Sequence, residues 1–511
     1  MPHTIAIAIV REWKWARPCF CDDQAGSGSR LERRAMSPAA STRRRHSIRP
    51  RVTGSSTGLH CGGKFSSSAT LCDARAWSLS LISLSIRKQD DMPERLTVTF
   101  PSAYRQSHPM GYDICGQISS PTRSLARTSG PIAFGGAGKM DRRDCMSVRP
   151  FKIDVPEAVL ARIQTRLADT QIGYAPKARD WTWGTDRDYL AEFVAYWREH
   201  YDWRAQEVLL NQYPQFMADV DGIDIHFYHV RGDGSQALPI ILTHGWPGSV
   251  IEFLVVIPKL VAAGFDVVVP SLPGYGWSGR PVTPIGPATV AAMWRKLMVD
   301  VLGYPRFFAQ GGDWGSAVTH QLGVTHADVV AAIHLNFFMG PSPKSSDDPE
   351  LAQYWRSVGA LMQEESGYHH QQSTRPQTLG LALHDNPVGW ASWLLEKFRR
   401  WGDTGGDIES RFEKDHLITN MMAYLVTENV ISSLWMYYGS NHEARAGGRV
   451  EVPTGLAHFP GEFYPMPSRR LAEQAYNVQR WSKMSAGGHF AAMEEPEAFA
   501  EDVIAFFGGR S

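Results

Sequence analysis

The chain has 511 residues, 43% of them hydrophobic and 20% charged, and its 52 Lys and Arg balance 52 Asp and Glu. That zero hides a split, because residues 1–145 hold 22 basic against 11 acidic side chains and the remainder 30 against 41. All six cysteines (Cys19, Cys21, Cys61, Cys72, Cys115 and Cys145) also fall in the first segment, which excludes disulfides, thiolate nucleophiles and cysteine-bound metal from everything after it.

The first segment is rich in Ser and Arg, as in Ser41–Arg51 and Ser78–Ser85, and keeps no sustained helical or strand period. It is expected to be disordered or not normally translated, with Met146 as the start. A targeting segment or nucleic-acid arm is the other reading of such a leader, but the Arg runs carry no interleaved aromatics, and nucleic acid is not an expected partner. The apolar patches Thr4–Val10 and Leu79–Ile86 are far shorter than the ~18 apolar residues of a spanning helix, so no membrane span and a soluble, cytoplasmic location are expected.

From residue 146 the patterning is regular. Asp154 and Glu157 are spaced as a capping box, Pro156 suits a first helical turn, and Leu160, Ile163 and Leu167 then share one helical face. Tyr189, Leu190, Phe193, Val194 and Trp197 repeat that spacing as a core-facing stripe. Gln215–Val220 and Ile223–Val230 flank Asp221-Gly222, a turn pair that predicts a hairpin. Leu238–Thr243 and Phe265–Pro270 are nearly continuous apolar runs, as strands buried on both faces of a parallel sheet require. Further strand candidates at Phe307–Gln310 and Val329–Leu335 alternate with helical patterns, which predicts an α/β fold. Residues 341–450 interrupt the alternation with helical, Trp- and Tyr-rich sequence, and Val452–Ala457 and Tyr476–Lys483 resume it. An insertion there reads as a helical cap over the carboxyl ends of the strands.

Four segments carry chemistry. Gly311-Gly312-Asp313-Trp314-Gly315 follows a strand and precedes a helix, the setting of a nucleophile elbow whose tight turn demands small residues two before and two after the nucleophile. A Gly-rich turn with a capping Asp is the ordinary alternative. His244-Gly245-Trp246-Pro247-Gly248-Ser249 follows Leu238–Thr243, where such folds supply one backbone N–H of an oxyanion hole. The residue after the nucleophile supplies the other, so the expected donors are Trp246 and Trp314. Glu462 and His489 then lie after successive late strands, giving the order nucleophile, acid, histidine. His334, His369, His370, His384 and His416 show no spacing that suggests a metal site.

Over residues about 148 to 508, through HGWPGS, GGDWGS, GYHHQQ, DNPVGW, FPGE and GGHFAAMEEPE, the chain resembles the microsomal-type epoxide hydrolases, an α/β-hydrolase branch that includes juvenile-hormone epoxide hydrolases. The resemblance implies an α/β-hydrolase fold divided into an amino-terminal epoxide-hydrolase region (146–236), core (237–340), helical cap (341–450) and core again (451–511). It implies Asp313 as nucleophile, His489 as general base and Glu462 as its orienting acid. It also implies two cap tyrosines that hydrogen-bond the epoxide oxygen, Tyr368 and Tyr437, with Tyr438 and Tyr424 competing for the second place.

An aspartate fits that substrate, since a serine would leave an inert ether where a carboxylate leaves a hydrolysable ester. The expected reactants are a hydrophobic epoxide and water, with no metal or organic cofactor. Oligomeric state stays open, a homodimer included. Haloalkane dehalogenation and a non-catalytic ligand-binding homologue are the alternatives. Dehalogenases usually carry Asn where Trp246 stands, and a non-catalytic form commonly loses a triad residue.

Overall fold

The structure, a computed structural model, describes residues 148–510 apart from 178, 233–237, 339 and 341–346. The expectations for the basic leader and for Met146 lie outside the described residues. β1 (Arg149–Phe151), β2 (Gln215–Val220) and β3 (Ile223–Val230) form an antiparallel meander. The β2–β3 hairpin is closed by Asp221 at φ 57° and Gly222 at φ 81°, the left-handed pair that a two-residue turn needs to match strand twist.

β3 lies antiparallel to β5 (Phe265–Pro270), and from there the sheet is parallel. It runs through β4 (Leu238–Thr243), β6 (Phe307–Gly311), β7 (Val330–Leu335), β8 (Val450–His458) and β9 (Tyr476–Lys483), in the order β1-β2-β3-β5-β4-β6-β7-β8-β9. Every residue of β5 and β6 is buried, which explains their mostly apolar sequences, interrupted by Asp266 and Gln310. β4 and β6 are neighbours, and the chain leaves β4 toward β5 on one side and β6 toward β7 on the other, so the two connections diverge and open a crevice at the strands' carboxyl ends. The HGWPGS loop after β4 and the elbow after β6 meet there.

Helices α1 (Glu157–Asp169), α2 (Arg187–Glu199) and α3 (Trp203–Leu210) precede the meander. The stripe of α2 is core, with Leu190, Phe193, Val194 and Trp197 all buried. The capping box is a correction: α1 starts after Pro156 with no side-chain cap. The Val155 N–H instead donates to Glu207 Oε1 at 2.8 Å, and Glu157 pairs with Arg204. Tertiary partners on α3 took the groups a local cap would have used.

Helices α4 (Ile257–Ala262), α5 (Pro287–Arg295) and α6 (Asp313–Thr325) link the central strands. Between β7 and β8 lie α7 (Pro349–Glu365), α8 (Gly367–Thr374), α9 (Pro376–Leu383), α10 (Pro387–Trp401), α11 (Lys414–Leu425), α12 (Val430–Ser433) and α13 (Trp435–His442). The amino-terminal helices clasp this insertion. Arg166 Nε donates to Asp385 Oδ2 at 2.7 Å, and the Tyr196 hydroxyl donates to Asp415 Oδ1 at 2.9 Å. Among the described residues no helix is long and apolar enough to cross a membrane.

Candidate active site

Asp313 leads α6 with φ 48°, a left-handed conformation that a non-glycine residue adopts only when its surroundings enforce it. The flanking glycines permit it. A Cβ on Gly315 would stand 1.8 Å from the Thr243 carbonyl oxygen, and one on Gly311 would stand 2.1 Å from that of Gly315. Gly245 matters equally, because its Cβ would fall 2.2 Å from Asp313 Oδ1.

The carboxylate is held at both oxygens. The Trp246 N–H donates to Oδ1 at 2.8 Å, and His489 Nε2 lies 3.2 Å from Oδ2. The second expected donor, the Trp314 N–H, sits in the first turn of α6, where leading N–H groups have no helical acceptor. α11 fixes the Trp246 loop: Asn420 Nδ2 donates to the Pro247 carbonyl at 2.7 Å, the Ser249 hydroxyl donates to Asn420 Oδ1 at 2.8 Å, and the Tyr424 hydroxyl donates to the Gly248 carbonyl. That bond commits Tyr424 to the loop.

His489 Nδ1 donates to Glu462 Oε2 at 2.9 Å and Oε1 at 3.1 Å, with Glu462 1% and His489 2% exposed at their side chains. Burial pulls the imidazole pKa down, but the charges and hydrogen bonds of Glu462 and Asp313 outweigh it and hold His489 well above the usual histidine range. It therefore bridges two carboxylates as an imidazolium. Its backbone is tied down as well. The His489 N–H donates to the Trp401 carbonyl at 3.0 Å, and the Phe490 N–H donates to Glu494 Oε1 at 2.9 Å.

The insertion supplies the opposite wall. Tyr368 of α8 stacks on Trp246 with centroids 5.6 Å apart and 8° between planes, and packs on Trp401 at 5.1 Å. Tyr437 of α13 meets Trp314 edge-on at 4.7 Å, Trp246 at 5.7 Å and Tyr368 at 5.8 Å. Burial raises the pKa of both hydroxyls, and the Asp313 charge adds to it, so both stay protonated donors. Tyr438 turns away and stacks on His442 at 3.9 Å. The structure thus brings Asp313, His489, Glu462, Trp246, Trp314, Tyr368 and Tyr437 together and leaves Tyr438 and Tyr424 outside.

Sequence reasoning missed Asn420, Trp401, Glu494 and Glu252. A solitary acid in the apolar run Val250–Ile257 was the signal for Glu252. His334, one of the unassigned histidines, lies within the core, its Nε2 2.9 Å from Asp502 Oδ2. Among the described residues no cluster of His, Cys, Asp or Glu could hold a metal ion.

The strand order, the strained Asp elbow beneath an N–H donor, and the acid and histidine on later loops define an α/β-hydrolase-fold protein. Comparison with known proteins agrees: the family described as "alpha/beta hydrolase fold" matches residues 239–366, and "Epoxide hydrolase N terminus" matches residues 148–253. Juvenile hormone epoxide hydrolase 1 of Ctenocephalides felis is 33% identical over 421 residues, covering 75% of this chain and 90% of the relative. Epoxide hydrolase 1 of Sus scrofa is 34% identical, covering 71% and 89%. The crystal structure of juvenile hormone epoxide hydrolase from Bombyx mori superposes with a TM-score of 0.65 at 30% identity, over 72% of this chain and 96% of that one. The chain belongs to the epoxide hydrolase family.

Proposed function

We propose that the enzyme converts epoxides and water to vicinal diols through a covalent alkyl ester on Asp313, with residues 341–450 as the cap and no cofactor. The observation that carries the reading is a carboxylate fixed at both oxygens, by the Trp246 N–H and by His489, and facing two buried tyrosines. Asp313 attacks a ring carbon, the carbon–oxygen bond breaks, and a hydroxyl of Tyr368 or Tyr437 protonates the departing oxygen. The imidazolium returns a proton to the tyrosinate. Esterification also removes the Asp313 charge, one of the two that held the proton on His489.

Neutral His489, oriented by Glu462, then takes a proton from water as that water bonds to the Asp313 carboxyl carbon. The oxyanion forms on the side of the Trp246 and Trp314 N–H groups, where one such donor is worth about 2.7–4 kcal/mol of barrier. Collapse expels the diol oxygen, which takes the proton of the new carboxyl group. The ion pair with His489 is restored. Paired tyrosine hydroxyls suit a leaving oxygen that must gain a proton, whereas a halide needs none, which favours this reading over dehalogenation.

The test is trapping. His489→Gln protein mixed with a small aryl epoxide is expected to gain one substrate mass on the peptide containing Asp313, because alkylation outlasts the impaired hydrolysis. No adduct there, with wild type active, overturns the nucleophile assignment.

A further inference from the structure

Asp313 borders two cavities. One is a cleft of about 560 Å³ running along α6 past Ser316, His320 and Phe337. The other has about 10 Å³ of room for a water's centre, and its polar lining is Asp313, His489, Glu252 and Asn336, beside Gly245, Gly248 and Gly312. That is close to the space one ordered water occupies, and it offers the several polar partners such a water requires. Neither Tyr368 nor Tyr437 lines either cavity.

Glu252 sits on the 3₁₀ turn Val250–Phe253 that follows the Trp246 loop. Its carboxyl lies against Gly248, where a Cβ would stand 1.5 Å from Glu252 Oε1, so the glycine is what lets the acid reach the cavity. Burial pushes its pKa up to about 8; the His489 charge opposes this and the Asp313 charge adds to it. At neutral pH it is mostly the acid, with one O–H donor and one carbonyl acceptor. Glu252 also lines a separate cavity of about 180 Å³ reached from α3 and α11, beside Gln206, Leu209 and His416. Its neighbours there, Leu209 and Val255, are 51% and 46% exposed. The residue thus stands between outer solvent and the back of Asp313.

We propose that Glu252 is a positioning residue for the hydrolytic half-reaction, holding the attacking water in the small cavity between Asp313 and His489 and admitting it from the α3–α11 side. The inference rests on the ester mechanism above. The water gives one proton to His489 Nε2 and donates its other to the Glu252 carbonyl oxygen, which leaves a lone pair for the Asp313 carboxyl carbon. Glu252 keeps its own proton. Water then enters by a route lined by neither Tyr368 nor Tyr437, so an epoxide held against those hydroxyls does not block hydrolysis of its own ester.

Rapid-quench mass spectrometry of the Asp313 peptide with a small aryl epoxide separates the two steps. Glu252→Leu is expected to form ester at close to the wild-type rate but to hydrolyse it about 10- to 100-fold more slowly, the scale of a misplaced reactant. Ester becomes the dominant steady-state species, and kcat falls while kcat/KM holds. Glu252→Gln retains more hydrolysis than Glu252→Leu, and Gly248→Ala, which evicts the carboxyl without removing it, reproduces the defect. Wild-type hydrolysis rates in these variants, or an equal loss in both steps, overturn the role of Glu252 alone. Failure of any ester to appear on Asp313, in wild type and in His489→Gln, overturns the mechanism itself.

Discussion

The two walls of the site are held by different forces. On the core side Asp313, His489 and Glu462 are fixed by direct hydrogen bonds and by backbone that tolerates no added atom at Gly245, Gly311 or Gly315. On the cap side Tyr368 and Tyr437 are held by ring packing on Trp246, Trp314 and Trp401. Hydrogen bonds and tight turns impose atomic position, as an attacking nucleophile requires. Ring packing fixes the orientation of the two phenol rings.

The largest effect is expected at the nucleophile. Asp313→Asn preserves the Oδ1 acceptor but not the anion, and should lower kcat/KM by about 10⁴-fold or more, the scale at which removing an attacking group is felt. Steady-state turnover checks it, and loss of only a few fold would place the nucleophile elsewhere. Next comes the backbone contrast. Gly315→Ala, forced against the Thr243 carbonyl, should cost about 1–3 kcal/mol of stability and most of the activity. Gly367→Ala, beside Tyr368 with nothing within 4 Å, should stay within about 0.5 kcal/mol in urea denaturation.

The same contrast explains what could be read from the sequence. The elbow was legible because its constraint is local: the residues that must be small are two positions away and identify the aspartate between them. The central parallel strands were legible because burial on both faces leaves them nearly continuous apolar runs, with Asp266 and Gln310 as single polar interruptions. The second tyrosine was not, since Tyr437 and Tyr438 are neighbours on α13 and only the docking of that helix decides which meets Trp314 and which meets His442. Asp154 and Glu157 failed for a related reason. A correct local signal lost to Glu207 and Arg204, which the sequence places about 50 residues away. Glu252 carried a signal as a solitary acid in an apolar run, but not a role, because the cavity it lines is assembled from segments that follow β4, β6, β7 and β9.

The cap side should respond more mildly and unequally. Tyr368→Phe and Tyr437→Phe are each expected to slow alkylation about 10- to 100-fold, since each leaves the other donor in place and full loss of acid catalysis is worth roughly 10²–10⁴. The double variant should lose more than either, while Tyr438→Phe stays near wild type. Single-turnover ester formation checks all four. A Tyr438→Phe defect equal to that of Tyr437→Phe would break the assignment of α13.

The smallest effect separates the walls by pH. His489 is raised in the folded state, so the stability it draws from Glu462 and Asp313 is fully present below the unfolded histidine pKa of about 6.5 and is lost as pH rises through the folded value. Wild type should therefore exceed His489→Gln in Tm by most between pH 5 and about 6.5, with the gap closing on the alkaline side. Tyr437→Phe removes no charge at these pH values and should track wild type at a constant offset up to the range where the raised tyrosine ionises. Thermal melts of the three proteins across pH test this. A gap that widens with pH for His489→Gln would mean that the imidazole is neutral in the resting enzyme, with Asp313 held by the Trp246 N–H alone.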